Sequence, residues 1–408
     1  MRILFLSPRQ SFPARSGARL RESHFLRALG ARAEVTFLYF ADPGATPLTV
    51  NELPFCREVI AVPKPPAYGL SKTARGIFGR LPLPILNYAS ADMDAAVAGV
   101  MQGRKFDIIH LDSIHMMQYA AAAAQRQPSL RAIYNWHNIE SEAMRRYAST
   151  TTSHARGCYA RLTASRLKHA ESEILRTAFG HVVCSARECL QLGPIAPRAR
   201  IEVIENGVDT GYFAACGQGP AGGRKIVFVG ALDYPANKES AIFFANRIWP
   251  HVRNRLNGAE FVIVGSNPSP PVLALGKLPG VTVAGMVPDV RPFYRDALAA
   301  VVPLLTGGGT RLKILEAMAA GVPVVSTPLG AEGLEVVDGE NALVVGAEDA
   351  EGWASRFVDL AENPALRARL IAAGLRLVQS GYDWDIIGAK LCAVYEGWLR
   401  GDSSASAR

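Results

Sequence analysis

The chain has 408 residues, which at roughly 100–200 residues per domain predicts two or three domains. With 49% hydrophobic and 20% charged residues it can bury more than one core, and this apolar content excludes disorder across the whole chain. The balance of 44 Lys and Arg against 36 Asp and Glu gives a net charge of +8, which favours a phosphate-bearing, acidic or membrane-surface partner.

Targeting and redox features of the sequence predict a cytoplasmic protein. The first residues are apolar only from Ile3 to Leu6, whereas the core of a signal peptide needs about 7–15 apolar residues. The densest apolar run, Leu298–Leu305, is far shorter than the ~18–20 residues of a membrane span. The six cysteines form neither a C-x-x-C pair nor a zinc-ligand spacing, so we expect reduced thiols.

The first half of the chain alternates short apolar runs with helical patterns, which is typical of parallel βαβ units. A helix through about Gly30 follows the first run and the loop Ser7–Arg19. A longer helical pattern spans Ser141–Ala178, with a break expected at Gly157. The predicted strands are Arg2–Leu6, Val35–Phe40, Val59–Val62, Asp107–Leu111, Ala132–Trp136, Gly180–Cys184 and Ile201–Ile204.

A second alternating series follows Cys216–Gly223, a glycine-rich stretch with the composition of an interdomain linker. Both halves therefore indicate a doubly wound α/β fold, in which ligands bind at the carboxyl ends of the strands and, by default, in the cleft between the two domains. The tail Asp402–Arg408 is rich in Ser and Ala and is predicted to fray. The strands predicted in the second half are Lys225–Val229, Glu260–Val264, Val281–Ala284, Ala299–Pro303, Val322–Ser326 and Ala342–Val344.

The segment Pro303–Pro323 carries the most specific pattern in the sequence. Glycines 307–309 follow a predicted strand and allow a ligand to approach the backbone closely. A helix is predicted from near Thr310 to Ala320, and its N-terminus offers unpaired N–H groups and the positive end of the helix dipole. This arrangement predicts an anion site.

Three charged side chains of the predicted helix support that interpretation. Arg311 and Lys313 lie in the first turn, where cations oppose the helix dipole, so an anion such as a diphosphate would neutralise them. Glu316 lies further along, before an apolar run, and a buried carboxylate there needs partners such as sugar hydroxyls. The alternative is that the three side chains form surface pairs on an exposed helix.

Five stretches resemble segments of family 4 glycosyltransferases of the GT-B fold, and they occur in the order expected for that family. The run Gly309–Thr327, which reads Gly-Thr-Arg-Leu-Lys-Ile-Leu-Glu-Ala-Met-Ala-Ala-Gly-Val-Pro-Val-Val-Ser-Thr, is similar to the donor-binding signature and is the most specific of the five. The others resemble the first strand and glycine loop of the C-terminal domain, the loop that contacts the nucleotide base, the interdomain turn and the acceptor-side histidine loop; they are Val227–Asn237, Gly285–Asp289, Ile204–Asp209 and Asn135–Glu140.

The resemblance covers nearly the whole chain and implies two Rossmann-like domains that face each other across a cleft. Residues 1–205 would bind the acceptor, residues 206–383 the nucleotide sugar, and a helix at 384–401 would cross back to the N-terminal domain. The implied activity is transfer of a sugar from a nucleotide-diphosphate sugar to a hydroxyl acceptor, with retention of anomeric configuration. The motifs Tyr-Pro-x-Asn and Gly-Thr-Arg-Leu-Lys most resemble those of bacterial exopolysaccharide-associated enzymes.

The resemblance also implies roles for individual residues. His137 would orient donor or acceptor, while Arg311 and Lys313 would stabilise the diphosphate together with the backbone of residues 308–310. Glu316 would bind the ribose, and the loop after Gly285 would bind the base. Neither a metal nor another cofactor is expected. The implied donor-binding residues are Gly230, Asn237, Gly285, Val287, Gly308, Gly309, Thr310 and Glu316.

The sequence departs from the family pattern at two places. A second acid usually stands eight positions before the helical one, and Gly308 occupies that position here. An Arg just after the strand glycine and a Lys several residues later are also common, whereas this chain has Ala231 and, depending on the gap, Asn237 or Lys238. We therefore expect Arg311 and Lys313 to have taken over the diphosphate contacts.

Acceptor-side candidates lie after strands of the first half. His137 follows Ala132–Trp136, together with Asn138 and Glu140, and His110 and Asp112 lie at the end of the preceding strand. Each histidine can alternatively be a packing or capping residue. Gly17 lies in the first loop, where the backbone of the family approaches phosphate and acceptor.

Charge clusters and acid pairs add further hypotheses. Residues 1–32 and 142–176 are both strongly basic, which is typical either of helices that dock on anionic lipid or of a solvated basic face. Aromatic residues are too sparse among these cations for nucleic acid binding. Two Asp-x-Asp sequences, Asp92–Asp94 and Asp383–Asp385, lie at predicted helix starts and do not favour a metal site.

Two other functions remain open. A nucleotide-sugar 2-epimerase has the same architecture and would act on the free nucleotide sugar. A catalytically degenerate glycan-assembly subunit is suggested by Gly308. A dinucleotide oxidoreductase is disfavoured, because no G-x-G-x-x-G follows the first strand of either half.

Overall fold

The computed structural model describes residues 1–14, 16–151, 153–216, 223–307 and 311–401. The chain divides into two compact units: unit 1 comprises Met1–Glu205 and the residues from Gly388 onward, and unit 2 comprises Asn206–Ile387. Each unit contains one parallel sheet with helices in its connections, so the doubly wound α/β fold predicted from the sequence is confirmed. Within the described ranges, no helix is both long and apolar enough to cross a membrane.

The sheet of unit 1 is parallel throughout and has seven strands within the described residues. These are β1 (Arg2–Ser7), β2 (Glu34–Ala41), β3 (Glu58–Pro63), β4 (Ile108–Leu111), β5 (Arg131–Asn135), β6 (Gly180–Val183) and β7 (Ile201–Val203). Their order is β3-β2-β1-β4-β5-β6-β7, so the direction of winding reverses between β1 and β4. The carboxyl ends of these two strands therefore flank the crevice where this fold class binds ligands.

The helices of unit 1 that precede its last strand are α1 (Gly17–Gly30), α2 (Leu70–Phe78), α3 (Leu83–Leu86), α4 (Ala91–Met101), α5 (Met117–Arg126), α6 (Glu140–Thr150), α7 (His154–Thr177) and α8 (Ala186–Leu192). The predicted helix break at Gly157 is wrong. Gly157 lies within α7, and the break comes earlier, where the Ser153 hydroxyl accepts the N–H of Arg156 and caps the new helix. A cap fixes a helix start, whereas an interior glycine costs only about 1 kcal/mol.

The sheet of unit 2 is also parallel, with six strands in the described part of the chain. They are β8 (Lys225–Val229), β9 (Glu260–Val264), β10 (Val281–Gly285), β11 (Ala297–Val302), β12 (Val324–Ser326) and β13 (Leu343–Val344). The order is β10-β9-β8-β11-β12-β13, and the winding reverses between β8 and β11. Apolar clusters cover both faces of this sheet, as parallel sheets require.

Ten further helices lie between Thr210 and Arg400 in the described residues. They are α9 (Thr210–Ala214), α10 (Pro235–Phe243), α11 (Trp249–Arg255), α12 (Pro270–Leu273), α13 (Arg291–Arg295), α14 (Leu312–Ala319), α15 (Pro328–Ala331), α16 (Ala350–Glu362), α17 (Pro364–Leu377) and α18 (Trp384–Arg400). Helix α14 begins two residues later than predicted and ends before Gly321, whose φ of 71° stops the helix.

The predicted linker at Cys216–Gly223 does not separate the two units. Cys216 is buried in the core of unit 2, and its carbonyl accepts a hydrogen bond of 2.8 Å from Arg295 Nε. Residues 217–222 lie outside the described residues. The division between the units instead falls between Glu205 and Asn206, so the glycine-rich composition does not mark a boundary between the units.

The last helix, α18, contributes a buried aromatic face to unit 1. Tyr395 and Trp398 are buried, and a Cβ built on Gly180 of β6 would lie 2.5 Å from the Trp398 ring. At Gly388 the helix passes so close to α1 that an added Cβ would lie 2.7 Å from the Cβ of Ala28. The docking of α18 on unit 1 therefore depends on small residues at two contacts.

Two glycines of α18 give a matched test of this contact. We expect Gly388→Ala to lower the free energy of unfolding by roughly 1–2 kcal/mol, because its methyl group overlaps Ala28. We expect Gly397→Ala, which meets nothing within 4 Å, to raise it by about 0.5–1 kcal/mol through helix propensity. Urea unfolding measures the change in the free energy of unfolding for each variant. Stabilisation by both substitutions would contradict the close packing of α18 on α1.

Candidate active site

The carboxyl end of β4 begins a buried chain of polar side chains in unit 1. Asp112 follows this strand directly and is fully buried. Its Oδ1 accepts a hydrogen bond of 2.5 Å from Asn135 Nδ2, and its Oδ2 lies 2.8 Å from His137 Nε2. Asn135 ends β5, the neighbouring strand, so the sheet itself aligns these three side chains at one edge.

The contact with Asp112 defines the chemistry of His137. Burial lowers the pKa of His137, and the charge of Asp112 offsets this only in part, so the ring is neutral at neutral pH. Nε2–H then donates to Asp112 and Nδ1 carries the lone pair. The side chain is 10% exposed, so this histidine can accept a hydrogen bond from a hydroxyl group of a ligand.

Arg21 of α1 holds the same edge from the other side. It is fully buried, its Nε donates to Asn135 Oδ1 at 2.9 Å, and its Nη1 donates to the carbonyls of Ile204 and Glu205 at 2.7 and 3.0 Å. Its guanidinium also lies 4.2 Å from the Phe25 ring centroid. One buried cation thus fixes α1, β5 and the segment after β7 together.

Glu22, the residue next to Arg21, forms a buried acid pair with Asp112. Burial and the neighbouring Asp112 raise the pKa of Glu22 well above its ordinary value, while Arg9, 3.7 Å away, and the Ser11 hydroxyl act in the other direction. Burial also opposes ionisation of Asp112, but His137 and hydrogen bonds from its neighbours hold the pKa of Asp112 well below its ordinary value. The pair therefore shares one proton, which stays on Glu22.

The structure places His110 behind this edge rather than on it. His110 is fully buried in β4, stacks on Phe5 with ring centroids 4.0 Å apart, and forms a hydrogen bond of 2.7 Å with the Tyr395 hydroxyl. Its Nε2 lies 3.8 Å from Asp112 Oδ1. The side chain therefore contributes through Asp112, because no surface remains for a direct contact with a ligand.

The other predicted acceptor-side residues lie in loops at this edge. Gly17 is the first residue of α1, whose first turn carries no acidic side chain. Asn138 is exposed, and Glu140 is the partly buried first residue of α6. Burial and the nearby Glu171 raise the pKa of Glu140 to about 7. A carboxyl group that titrates near neutrality thus lies three residues from His137.

In unit 2 the crevice between β8 and β11 contains the predicted lysine. Lys313 Nζ donates to Asn237 Oδ1 at 2.7 Å and lies 4.5 Å from the Phe228 ring centroid. A Cβ built on Gly230, directly after β8, would lie 2.9 Å from both Lys313 Nζ and Asn237 Nδ2. Only glycine leaves room for this contact. Burial lowers the pKa of Lys313 to about 7, and the charge of Glu316 offsets this only in part.

Arg311 stands at the N-cap position of α14 and is buried. Its Nη2 lies 3.3 Å from the carbonyl oxygen of Gly307 and 3.4 Å from that of Leu329. The side chain thus connects the loop after β11 to α15. The predicted ligand-binding residues Gly308, Gly309 and Thr310 lie outside the described residues.

Glu316 lies one turn after Lys313 on α14 and is partly buried. Burial raises the pKa of Glu316, and the charge of Lys313 acts in the opposite direction. Its charge in turn helps to raise the pKa of the buried Tyr294. Both side chains are partly buried and Lys313 donates to Asn237, so the two do not form a simple pair on an exposed helix face.

The loop after β10 is held by an ion pair that the sequence analysis did not single out. Gly285 has a φ of 69°, and Val287 packs against the core cluster of unit 2. Asp289 contacts the Arg291 guanidinium at 2.8 Å and accepts a hydrogen bond of 3.1 Å from the Tyr212 hydroxyl. Hydrogen bonds from Arg291 are the main reason why the pKa of Asp289 is lowered to about 2.

Sequence reasoning also missed Arg21, Glu22 and Tyr395 in unit 1. One signal was present for Glu22, since it is the only acid among the first 32 residues and lies between several arginines. A lone acid in a basic segment is expected to meet one of those cations, as it does with Arg9. Tyr395 gave no signal, because its partner His110 is 285 residues away.

Two parallel-sheet units with these sites define the chain as a GT-B glycosyltransferase fold. The family model described as "Glycosyl transferase 4-like domain" matches residues 16–207, and that described as "Glycosyl transferases group 1" matches residues 223–363. The chain therefore belongs to the family 4 glycosyltransferases, which confirms the resemblance read from the sequence.

Curated relatives and solved structures agree with this assignment. The phosphatidyl-myo-inositol mannosyltransferase of Mycolicibacterium smegmatis is 32% identical over 200 residues, 47% of this chain and 51% of the relative. The glycogen synthase of Mycobacterium tuberculosis is 27% identical over 257 residues, 60% of each chain. The chain thus spans about half of the first of these relatives.

Among solved structures, the fold is similar to that of the sucrose-phosphate synthase of Thermosynechococcus elongatus. The TM-score is 0.71 at 19% identity, covering 98% of this chain and 100% of that one. HepE of Anabaena, crystallised with UDP and glucose, gives a TM-score of 0.65 at 17% identity over 97% of this chain and 99% of its own.

The shared proton of Glu22 gives a test of the unit 1 network. Because its pKa is raised, the stability that protonated Glu22 supplies is complete below the ordinary value of 4.5 and is lost as pH rises above it. Glu22→Gln cannot lose a proton, so its free energy of unfolding should improve relative to wild type by about 1–2 kcal/mol between pH 5 and pH 8. Hydrogen exchange of the β1 and β4 amides in urea measures the free energy of unfolding of unit 1.

Glu362→Gln, an exposed acid on α16, is the control for this experiment. It should leave the exchange of the β1 and β4 amides as in wild type, because Glu362 lies in unit 2. A constant difference for Glu22→Gln across the same range would contradict the buried acid pair.

Proposed function

We propose that this chain transfers a sugar from a nucleotide-diphosphate sugar to a hydroxyl acceptor, with retention of anomeric configuration, in exopolysaccharide or other cell-surface glycan synthesis. The contact between Gly230, Asn237 and Lys313 carries the proposal, because it holds a partly buried ammonium group at the crevice of unit 2 with a neutral amide as its hydrogen-bond partner. A diphosphate supplies a charged partner for it. HepE, which has the same fold, was crystallised with UDP-glucose.

Unit 2 would bind the donor through groups of different chemistry. Lys313 and the start of α14 contact the diphosphate, Glu316 accepts hydrogen bonds from the ribose hydroxyls, and the loop around Gly285 and Val287 contacts the base. Negative charge grows on the departing diphosphate as the bond to the anomeric carbon breaks, and a preorganised cation stabilises that charge. Arg311 acts mainly by fixing the backbone of this loop.

Unit 1 would bind the acceptor at the edge that holds His137. The Nδ1 lone pair of His137 accepts a hydrogen bond from a substrate hydroxyl, while burial keeps the ring neutral and Asp112 orients it. The proton of the acceptor hydroxyl passes to the departing phosphate oxygen, so no side chain has to act as the base. Analysis of the product tests the two other functions: an epimerase would invert the sugar at C2 without an acceptor, and a degenerate subunit would bind donor without turnover.

Variants of α14 test donor binding. We expect Lys313→Ala and Glu316→Ala each to weaken binding of a nucleotide sugar by about tenfold or more, because each removes a charge-assisted hydrogen bond. Donor binding should also weaken for wild type as pH rises from 6 to 9, since Lys313, with a pKa of about 7, must be protonated to bind the diphosphate. Lys313→Ala should lose this pH dependence.

Calorimetry with the UDP-, GDP- or dTDP-sugar that gives the largest thermal shift measures these affinities. Nucleotide sugars suit this purpose because their diphosphate diester does not titrate near pH 7. Lys277→Ala, an exposed lysine elsewhere in unit 2, is the matched control and should bind as wild type does. Equal affinity for wild type and both α14 variants would refute the donor site.

We further propose that unit 1 contacts the anionic inner face of the plasma membrane. In the first basic segment, residues 1–32, Arg21 is buried, and Arg9 and Arg19 pair with Glu22 and Asp42, so these three do not add to an exposed basic face. Among the described residues, the second segment presents a larger number of exposed cations. Its exposed cations include Arg156, Arg161, Lys168 and Arg176 on α7.

Helix α2 adds an apolar part to the same surface. Phe78 is 86% exposed and Ile77 37% exposed, and Arg166 of α7 donates to the carbonyls of Gly76 and Ile77. Cations beside exposed apolar side chains are typical of proteins that bind anionic bilayers from one side.

Vesicle flotation tests the membrane contact. With phosphatidylglycerol and phosphatidylcholine at 30:70, we expect Phe78→Ser and the double variant Arg161→Gln, Lys168→Gln each to lower the fraction bound at least threefold, since a basic residue near the surface contributes roughly 1 kcal/mol. Leu190→Ser, 77% exposed on α8, and Arg253→Gln of unit 2 are the controls. Unchanged binding of the two α2 and α7 variants would refute this contact.

A further inference from the structure

A pocket of about 270 Å³ lies within unit 1, beside the edge that holds His137. Its walls come from the segment before α2, from α3 and its C-terminal residues, from the loop after β4, and from α6 and α7. The residues that line it are Tyr68, Leu83, Pro84, Asn87, Tyr88, His115, Met144, Tyr159 and Thr163. Neither the family models nor the resemblance assigns a role to it.

The pocket adjoins the predicted acceptor-side residues. Met144 is four residues after Glu140 on α6, so the two side chains lie on one face of the helix a turn apart. His115 is three residues after Asp112, and its ring lies close enough to Arg9 and His137 to interact with them electrostatically. A ligand in the pocket therefore extends toward the group that we propose to contact the reacting hydroxyl.

Aromatic rings form much of the pocket wall. Tyr88 and His115 lie with ring centroids 5.0 Å apart, and Lys64 Nζ lies 5.4 Å from the Tyr88 centroid on the outside. Tyr68 stands at the rim, 74% exposed, with a φ of 59° that a tyrosine rarely adopts. Its N–H donates to Asn87 Oδ1 at 3.2 Å, which holds it in this conformation. Strained, exposed aromatics of this kind occur at ligand sites.

The pocket wall carries polar side chains, and one buried hydroxyl among them, that of Tyr159, has no hydrogen-bond partner in the described part of the chain. The Asn87 oxygen is used by Tyr68, so its NH₂ group can donate to a ligand, and Thr163 adds a buried hydroxyl. An alkyl or isoprenoid chain would cover these groups without pairing them, which is unfavourable.

We infer that this pocket binds one pyranose ring of a saccharide acceptor, next to the sugar that carries the reacting hydroxyl. The C–H face of a pyranose packs on tyrosine rings, and its hydroxyl groups pair with Tyr159, Thr163 and Asn87. The volume accommodates a single ring. This inference rests on the proposed function and sharpens it, because it makes the acceptor a glycan of at least two sugars rather than a bare lipid phosphate.

Saturation-transfer NMR tests the occupant with defined probes. The panel comprises the methyl α-glycosides of glucose, mannose, galactose and N-acetylglucosamine, with farnesyl phosphate as the apolar competitor. We expect at least one glycoside to bind wild type at millimolar concentration and Tyr159→Phe to weaken it by about fivefold, because only one hydroxyl group is removed. Farnesyl phosphate should not displace the bound glycoside.

Tyr147→Phe is the matched control, since Tyr147 is an exposed tyrosine of α6 that does not line the pocket. It should bind the glycoside as wild type does. If every glycoside fails to bind, if Tyr159→Phe binds as tightly as wild type, or if farnesyl phosphate displaces the sugar, the inference is overturned.

Donor affinity separates this inference from the proposed function. Tyr159→Phe should bind the nucleotide sugar as wild type does, because it lies in unit 1 and Lys313 in unit 2. If wild type does not bind the nucleotide sugar, the proposed function is refuted. Saccharide binding to the pocket would then be a separate result. Normal donor binding with no saccharide binding would overturn only the pocket inference.

Discussion

The buried hydrogen-bond chain from Arg21 through Asn135 and Asp112 to His137 is the interaction on which the candidate site of unit 1 depends. A buried cation and a buried carboxylate are each expensive alone, and removing one leaves the other uncompensated. Here they are connected through one amide, and the remaining acid, Glu22, keeps its proton. The result is a rigid edge with one partly exposed acceptor atom on His137.

Unit 2 stabilises its cation Lys313 less completely than unit 1 stabilises Arg21. Lys313 has one amide oxygen as a partner at 2.7 Å and an aromatic ring below it, and its pKa falls to about 7. The charge of Glu316 offsets this lowering only in part. This difference between the two units is the reason why we propose phosphate chemistry for unit 2 rather than for unit 1.

The positive charge of the chain is also used in two different ways. Among the first 32 residues, Arg21 is buried and binds carbonyls, and Arg9 faces the buried Glu22. On α7 the cations stay in solvent beside the apolar end of α2. Net charge alone treats both groups as equivalent. Burial separates a structural cation from one that can meet a membrane or an anionic ligand.

The sequence by itself determined the parallel α/β fold, because alternating apolar runs and helical patterns follow from local periodicity. It also singled out Lys313, Glu316, His137 and Asp112 as candidate site residues, since these lie in segments directly after a strand or at a helix start. Break and linker positions were wrong at Gly157 and at Cys216–Gly223, where composition indicated a boundary but a serine cap and core burial decided otherwise. The tertiary structure alone decided that Glu22 meets Asp112, that Tyr395 meets His110 and that three tyrosines share a pocket. These partners are far apart in sequence, and no local pattern encodes a contact that exists only after the sheet has formed.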